Sequence, residues 1–281
     1  MNMNLLNGTW PAVVEVDNVK NLTDEDIQAI GRVLAEKTVV VIKKQSNLTE
    51  EEQVAFCERI GFVRTYKWDN EKMWKAISPN HKQVAIVTGK RNDDNLPGLH
   101  GGHDELGWHC NSPWDPTRMP IIYLYAVEHT KGSRTSYINA IAAYEALPQE
   151  WKDRIEKFHL RPMDLYDNYS TQGQTFGLVP KENTNYQPAL HQQNQAGYDT
   201  LHFPWNQITG LREVEDAEFQ EIKKFLEEHM TRDEFVYHHD WEDGDIVFAD
   251  QWSGLHKRWA FELMHERLLH RIGLNYDNIK F

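Results

Sequence analysis

The sequence has little cysteine, no long apolar run and no excess of basic charge. Its two cysteines are Cys57 and Cys110. That excludes a disulfide framework and a zinc-type cysteine cluster, and it predicts free thiols in a reducing compartment. No apolar stretch approaches the ~18 residues that a bilayer-spanning helix requires. The opening MNMNLLNGTW lacks the basic patch and apolar run of a signal peptide. The expected location is the cytoplasm. Thirty Lys and Arg stand against 43 Asp and Glu, a formal net charge of -13. Phosphate binding wants a basic surface, so nucleic acid is excluded as the expected partner and small molecules are favoured.

What is present suffices for a sizeable core. The 281 residues are 40% hydrophobic and include 10 Trp, 11 Tyr and 11 Phe. No composition break or internal repeat divides them, so one domain over 1–281 is expected, with monomer and homo-oligomer both open. Apolar and β-branched runs predict strands at 12–16, 38–42, 84–87, 121–127, 235–238, 245–249 and 267–276. Shorter strand-like pieces lie at 188–191 and 200–203. Thr23 caps one helix, and Thr49-Glu50-Glu51-Glu52 forms a capping box for a second that stops at Gly61. Short helices are predicted at 141–147 and 149–158. A long one runs over 214–230 with Phe219, Ile222, Phe225 and Leu226 facing inward. The Gly-, Asn- and Asp-rich 88–107 and the polar 161–186 read as long loops, two candidate lids. Many short strands with few helices predict a mainly β fold, barrel or sandwich, with helices outside.

Candidate chemistry centres on Trp108-His109-Cys110-Asn111 and on 256–271. Alternate residues of a strand share a face, so His109 and Asn111 point together and Cys110 points away. His256, after the strand at 245–249 and an expected turn at 252–255, is the candidate third ligand. The set is similar to a two-His-one-carboxylate facial triad, which binds Fe(II) and leaves positions open. Either histidine alone would serve equally as a hydrogen-bonded core residue. Near the C-terminus, Arg267, Leu269, Arg271 and Gly273 fall on one strand face. Two arginines on an apolar strand are costly unless an anion meets them. A carboxylate ligand, gripped bidentately, is one solution, and an internal salt bridge is the other.

These residues resemble the taurine/2-oxoglutarate dioxygenase family of non-haem Fe(II) oxygenases. Leu106-Gly-Trp-His-Cys-Asn-Ser-Pro-Trp114 is similar to that family's Trp-His-x-Asp ligand strand. Gly132 to Leu147 resembles the segment after it, which places a Thr, here Thr135, on the co-substrate. His256 matches the distal His, Arg271 the co-substrate arginine fifteen residues later, and Arg267 a second basic position. The resemblance implies a double-stranded β-helix (jelly-roll, cupin-like). It implies Fe(II) on His109, His256 and the residue at 111, and 2-oxoglutarate chelating the iron with its far carboxylate on Arg271 and Thr135. Dioxygen would be consumed, succinate and carbon dioxide released, and a small charged substrate hydroxylated.

One residue departs from that pattern. Asn111 stands where the family has a carboxylate. Three readings are open: ligation through the amide oxygen, an open position that admits water or halide and so halogenation, or a degraded site in a protein that only binds. Asp104 and Glu105 are acids that could substitute. For the substrate, the resemblance points to Tyr66 and Trp68 in the aromatic segment and to Glu105, an acid that suggests an amine-bearing substrate. Cys110, Trp205 and Trp252 are expected to pack.

Overall fold

The computed structural model describes residues 1–66, 77–88, 105–113, 115–162, 187–261 and 266–281. Two sheets face each other. In chain order the strands and helices are β1 (Asn2–Leu5), β2 (Ala12–Glu15), α1 (Asp24–Lys37), β3 (Val39–Ile42), α2 (Glu50–Ile60), β4 (Ala85–Thr88), β5 (Leu106–His109), β6 (Ile121–Glu128), β7 (Arg134–Asn139), α3 (Ala140–Glu145), α4 (Gln149–Ile155), β8 (Leu160–Pro162), β9 (His191–Gln193), β10 (Asp199–Leu201), β11 (Ile208–Leu211), α5 (Asp216–Met230), β12 (Val236–Asp240), β13 (Ile246–Asp250), β14 (Gly254–Arg258) and β15 (Leu268–Leu274). The larger sheet has the order β1-β2-β3-β13-β6-β15-β4 and the smaller β12-β7-β14-β5. Only β2 and β3 pair in parallel in these two sheets. This is the jelly-roll expected from the sequence.

Three apolar layers explain why the central strands carry apolar residues on both faces. Val40, Ile42, Ile246, Phe248, Ile272 and Leu274 pack outward against α1 and α2, including Ile27, Ile30, Leu34, Phe56 and Ile60. Val39, Val41, Val247, Ala249 and Leu269 point the other way, between the sheets, with Trp10, Tyr137 and Trp241. A third cluster backs the smaller sheet with α3, α4 and α5, through Ile138, Leu255, Phe219, Ile222 and Leu226. Strands covered on both faces read as continuous apolar runs. The expected capping box at Thr49–Glu52 is present, and the expected cap at Thr23 is also a full capping box, with Asp26. Phe225, expected inside, is half-buried and stacks on Trp151 with ring centroids 3.8 Å apart. Both cysteines are buried and unbridged. No helix among the described residues is long and apolar enough to cross a membrane.

The fold contains strands that the sequence analysis did not expect. β7 and β14 are the important ones, since they form the centre of the smaller sheet. Residues 252–255, expected as a turn, give Gly254 and Leu255 to β14. Leu106 and Gly107, expected in a loop, belong to β5. Most of the two candidate lids, 89–104 and 163–186, lies outside the described residues.

Gly254 is where β14 passes closest to its neighbours. A Cβ there would lie 2.5 Å from Thr38 Cγ2 and 3.0 Å from the Ile138 carbonyl oxygen. Overpacking of this kind costs roughly 1–3 kcal/mol. Gly254→Ala should lower chemical-denaturation stability by about that amount. An unchanged midpoint would show that β14 has room to move.

Candidate metal centre and arginine pocket

A cavity lies between the sheets. The larger sheet lines it with Val87, Ile122, Leu124, Leu269 and Arg271, and the smaller with Leu106, His109, Thr135, His256 and Arg258; Asn111 and Arg267 complete it. His109 and His256 are directly opposed across the β5–β14 pair. Their ring centroids are 4.1 Å apart. β5 ends at His109, so Asn111 sits in a bend rather than a strand. The expected alternation survives, because His109 and Asn111 line the cavity. Cys110 turns into the core behind the sheet.

β5 is an edge strand, and side-chain amides satisfy the backbone around its end. Asn206 Nδ2 donates to the Trp108 carbonyl at 3.0 Å. Gln207 accepts from Cys110 N–H at 2.9 Å and donates to its carbonyl at 3.0 Å. Gln251 Oε1 accepts from both the backbone N–H and Nδ2 of Asn111, each at 2.9 Å.

The donors suit a divalent metal. His109 Nδ1 lies 2.7 Å from the Gly107 carbonyl, which can only accept, so Nδ1 carries the proton and Nε2 keeps its lone pair. Burial, with Arg258 and Arg271 nearby, pushes the His109 pKa down to about 4. The ring is therefore neutral near pH 7, as ligation requires. No cluster of three His, Cys, Asp or Glu occurs among the described residues. Among the described residues, the amide of Asn111 offers a neutral oxygen donor in the same cavity as the two histidines. Such a set fits Fe(II) with weaker electrostatic attraction than a carboxylate would give.

Arg258, Arg267 and Arg271 share the cavity, and no acid among the described residues lines it. Arg267 Nε donates to Ser133 Oγ at 3.1 Å, and its guanidinium lies 5.0 Å above the Phe261 ring. Burial, then the charge of Arg258, pushes its pKa down to about 9. Arg258 approaches the same Phe261 ring at 5.7 Å and pairs in register with Thr135. Thr135 Oγ1 accepts from Trp241 Nε1 at 2.9 Å. As the sequence alternation predicted, Arg267 and Arg271 face inward, while His270 faces the helices and meets Gln53. Arg258 was missed. The signal was available, since it lies two residues from His256 and shares its strand face.

The residues expected to touch substrate are dispersed. Tyr66 is buried with its hydroxyl beside Gly273, one step beyond Arg271 on the inward face of β15. Trp68 lies outside the described residues. Glu105 is paired with Lys257 at 2.9 Å. Lys257 alternates with His256 and Arg258, so that pair lies on the outer face of the smaller sheet. Asp104 also lies outside the described residues. Trp205 packs in the core, and Trp252 lies under Arg118 at 3.8 Å.

The jelly-roll with its interior donors and arginines defines a class, the Fe(II)- and 2-oxoglutarate-dependent dioxygenases. The chain belongs to the family described as taurine catabolism dioxygenase TauD, TfdA, whose model it matches over residues 5–272. It is 25% identical over 274 residues to the (S)-phenoxypropionate/alpha-ketoglutarate-dioxygenase of Sphingobium herbicidovorans, covering 94% of this chain and 91% of that protein. It is 24% identical to the alpha-ketoglutarate-dependent 2,4-dichlorophenoxyacetate dioxygenase of Cupriavidus pinatubonensis, covering 92% of each. It is also 24% identical to pentalenolactone F synthase of Streptomyces avermitilis, covering 95% of this chain and 90% of that one. A taurine dioxygenase structure from Burkholderia xenovorans superposes with a TM-score of 0.74 at 19% identity, over 97% of this chain and 88% of that one. The structure of AAD-2 in complex with Mn(II) and N-oxalylglycine gives 0.74 at 19%, over 97% and 96%. These two likenesses show the fold.

The depressed pKa of His109 has a consequence for metal-free protein. An unfolded His takes up a proton near pH 6.5, while the folded His109 does so only near 4. Between those values the unfolded state binds more protons, so stability is lost as pH falls. For His109 the loss from pH 7 to 5 is about 2 kcal/mol. His109→Gln should remove that part of the acid sensitivity in urea titrations of metal-free protein. An identical acid limb in the variant would refute the buried neutral ring.

Proposed function

We propose that the chain hydroxylates a small, acid-bearing metabolite, using Fe(II) held by His109, His256 and the amide oxygen of Asn111. The observation that carries this reading is the cavity itself, with two histidines and an amide at one place and three arginines around them. Bound Fe(II) with 2-oxoglutarate supplies dioxygen activation and the oxidising power, with succinate and carbon dioxide as by-products. The chain's own residues position, neutralise and exclude water.

The far carboxylate of 2-oxoglutarate fits best at the Thr135 end. Arg267 is tied to Ser133, two residues from Thr135, and Arg258 pairs with Thr135 across the sheet. Arg258 and Arg271 are the arginines that act most on His109. Arg267 is thus the natural partner for the carboxylate remote from the metal. This moves the co-substrate role from Arg271, as the resemblance had it, to Arg267. Arg271 lines the same cavity, with Tyr66 beyond it, and is assigned on this reading to an acid group on the substrate. The named substrates of two relatives, (S)-phenoxypropionate and 2,4-dichlorophenoxyacetate, are carboxylic acids, which supports this choice. The amine-bearing alternative rested on Glu105, whose charge Lys257 meets. A halogenase needs an open metal position, and the fixed amide of Asn111 works against one. The two buried thiols suit a reducing cytoplasm.

Anaerobic titration with Fe(II) and 2-oxoglutarate should give wild type the weak visible charge-transfer band of the chelate. Arg267→Leu should weaken the 2-oxoglutarate midpoint by roughly 10- to 100-fold, the loss of a charge-assisted pair. Arg271→Leu should shift it by less than about threefold. A larger effect at Arg271 would return the co-substrate to that residue. A band in Asn111→Asp alone would mark the natural site as a binding site without catalysis. In turnover, a panel of small carboxylic acids should reveal succinate release matched to dioxygen consumption.

A further inference from the structure

An amide is a two-ended ligand. Its oxygen can bind a metal, while its NH2 group has no lone pair to offer. For Asn111 to act as proposed, something must hold its oxygen toward the histidines. We propose that Gln251 is that positioning residue, a buried amide that fixes which end of Asn111 meets the metal. The proposal rests on the reading of Asn111 as a ligand.

The assignment follows from donors and acceptors alone. The backbone N–H of Asn111 can only donate. The Gln251 atom 2.9 Å from it must therefore be the oxygen, Oε1. The same Oε1 lies 2.9 Å from the end of the Asn111 side chain. Two oxygens would repel at that distance, so that end must be Nδ2. The Asn111 oxygen is left on the opposite side of the amide, on a residue that lines the cavity with His109 and His256. Orientation is thereby inherited from the backbone rather than assumed.

Gln251 is itself well held. The residue is 1% exposed, and its backbone N–H donates to the Pro120 carbonyl at 2.7 Å. It directly follows β13, whose last residue, Asp250, accepts from Trp252 N–H, Ser253 N–H and the Tyr276 hydroxyl. The clamp therefore hangs from the larger sheet and reaches the ligand segment of the smaller one.

The device is specific to an amide at 111. A carboxylate there would set two oxygens against each other unless Gln251 turned its NH2 inward. That turn would strip the Asn111 backbone N–H of its acceptor. A carboxylate also needs no orienting, since both its ends ligate. Gln251 should thus help the natural residue and be neutral or unhelpful to Asn111→Asp.

The test is anaerobic Mn(II) binding with saturating 2-oxoglutarate, read by the EPR signal of free Mn(II), so no turnover is needed. Gln251→Met should weaken Mn(II) roughly 10- to 100-fold, as losses of ligand-orienting partners do. Gln251→Glu keeps an acceptor for both donors and should bind at or above the wild-type level. In Asn111→Asp, adding Gln251→Met should leave affinity unchanged or improved. Gln251→Asn is shorter by a methylene but keeps a polar buried side chain, and it repeats the loss should the Met variant not fold. Equal losses in both backgrounds would assign Gln251 a merely structural role and overturn the clamp. Indifference of Mn(II) affinity to Gln251→Met in the natural background would overturn it too, leaving the ligand reading intact. Failure of wild type to bind Mn(II), with binding in Asn111→Asp, would overturn the ligand reading and the clamp with it.

Discussion

The site depends on one register. β5 and β14 pair so that His109 stands opposite His256. Side chains alternate along a strand, so a slip of one residue would turn His256 out of the cavity and bring Lys257 in. The pairing also carries an irregularity between His256 and Arg258, which face His109 and Leu106 respectively. Two steps on β14 are matched by three on β5. The extra residue lets Leu106 and His109 both line the cavity although they are an odd number apart. Because β5 has no strand on its outer side among the described residues, nothing described in the sheet itself secures its end. The amides of Asn206 and Gln207, brought from a distant loop, hold that edge.

Charge is the second constraint, and it acts over short distances. The chain carries a formal net charge of -13, yet its cavity gathers three arginines. Exposed acids are screened beyond about 8 Å at physiological salt. Guanidiniums lining a cavity are screened far less, so the potential a bound anion experiences there is set by Arg258, Arg267 and Arg271. Burial disfavours the charge of Arg267, and its lowered pKa is the mark of that cost. An anion in the cavity offsets it.

Much of this was legible in the sequence because strand periodicity reports both faces. The inward set Arg267, Leu269, Arg271 and the pairing of His109 with Asn111 followed from counting by two. The capping boxes at Thr23 and Thr49 fixed their helix starts through purely local hydrogen bonds. What escaped was strand identity next to glycine. β14 opens with Gly254, so its start read as a turn, and β7, after Gly132 and Ser133, was not read as a strand; with β14 went the inward position of Arg258. The ion pair of Glu105 was hidden for a different reason. Its partner Lys257 lies on the outer face of a strand that had not been seen. Gln251 was beyond sequence reasoning altogether, since its contact with Asn111 spans 140 residues and arises only when β13 packs across from β5.

Asn111 and Arg258 shift the electrostatics in the same direction. On the proposed ligand set, two neutral histidines and a neutral amide leave the metal's two positive charges uncompensated by protein. The dianion 2-oxoglutarate cancels them and, through its far carboxylate, engages one arginine region. Two further guanidiniums still line the space. A cationic substrate would add positive charge beside the guanidiniums that line this cavity, which is unfavourable in a low-dielectric space. An acidic substrate relieves that excess. On the proposed reading, substrate charge is part of the same balance that allows a neutral residue to stand where a carboxylate is usual.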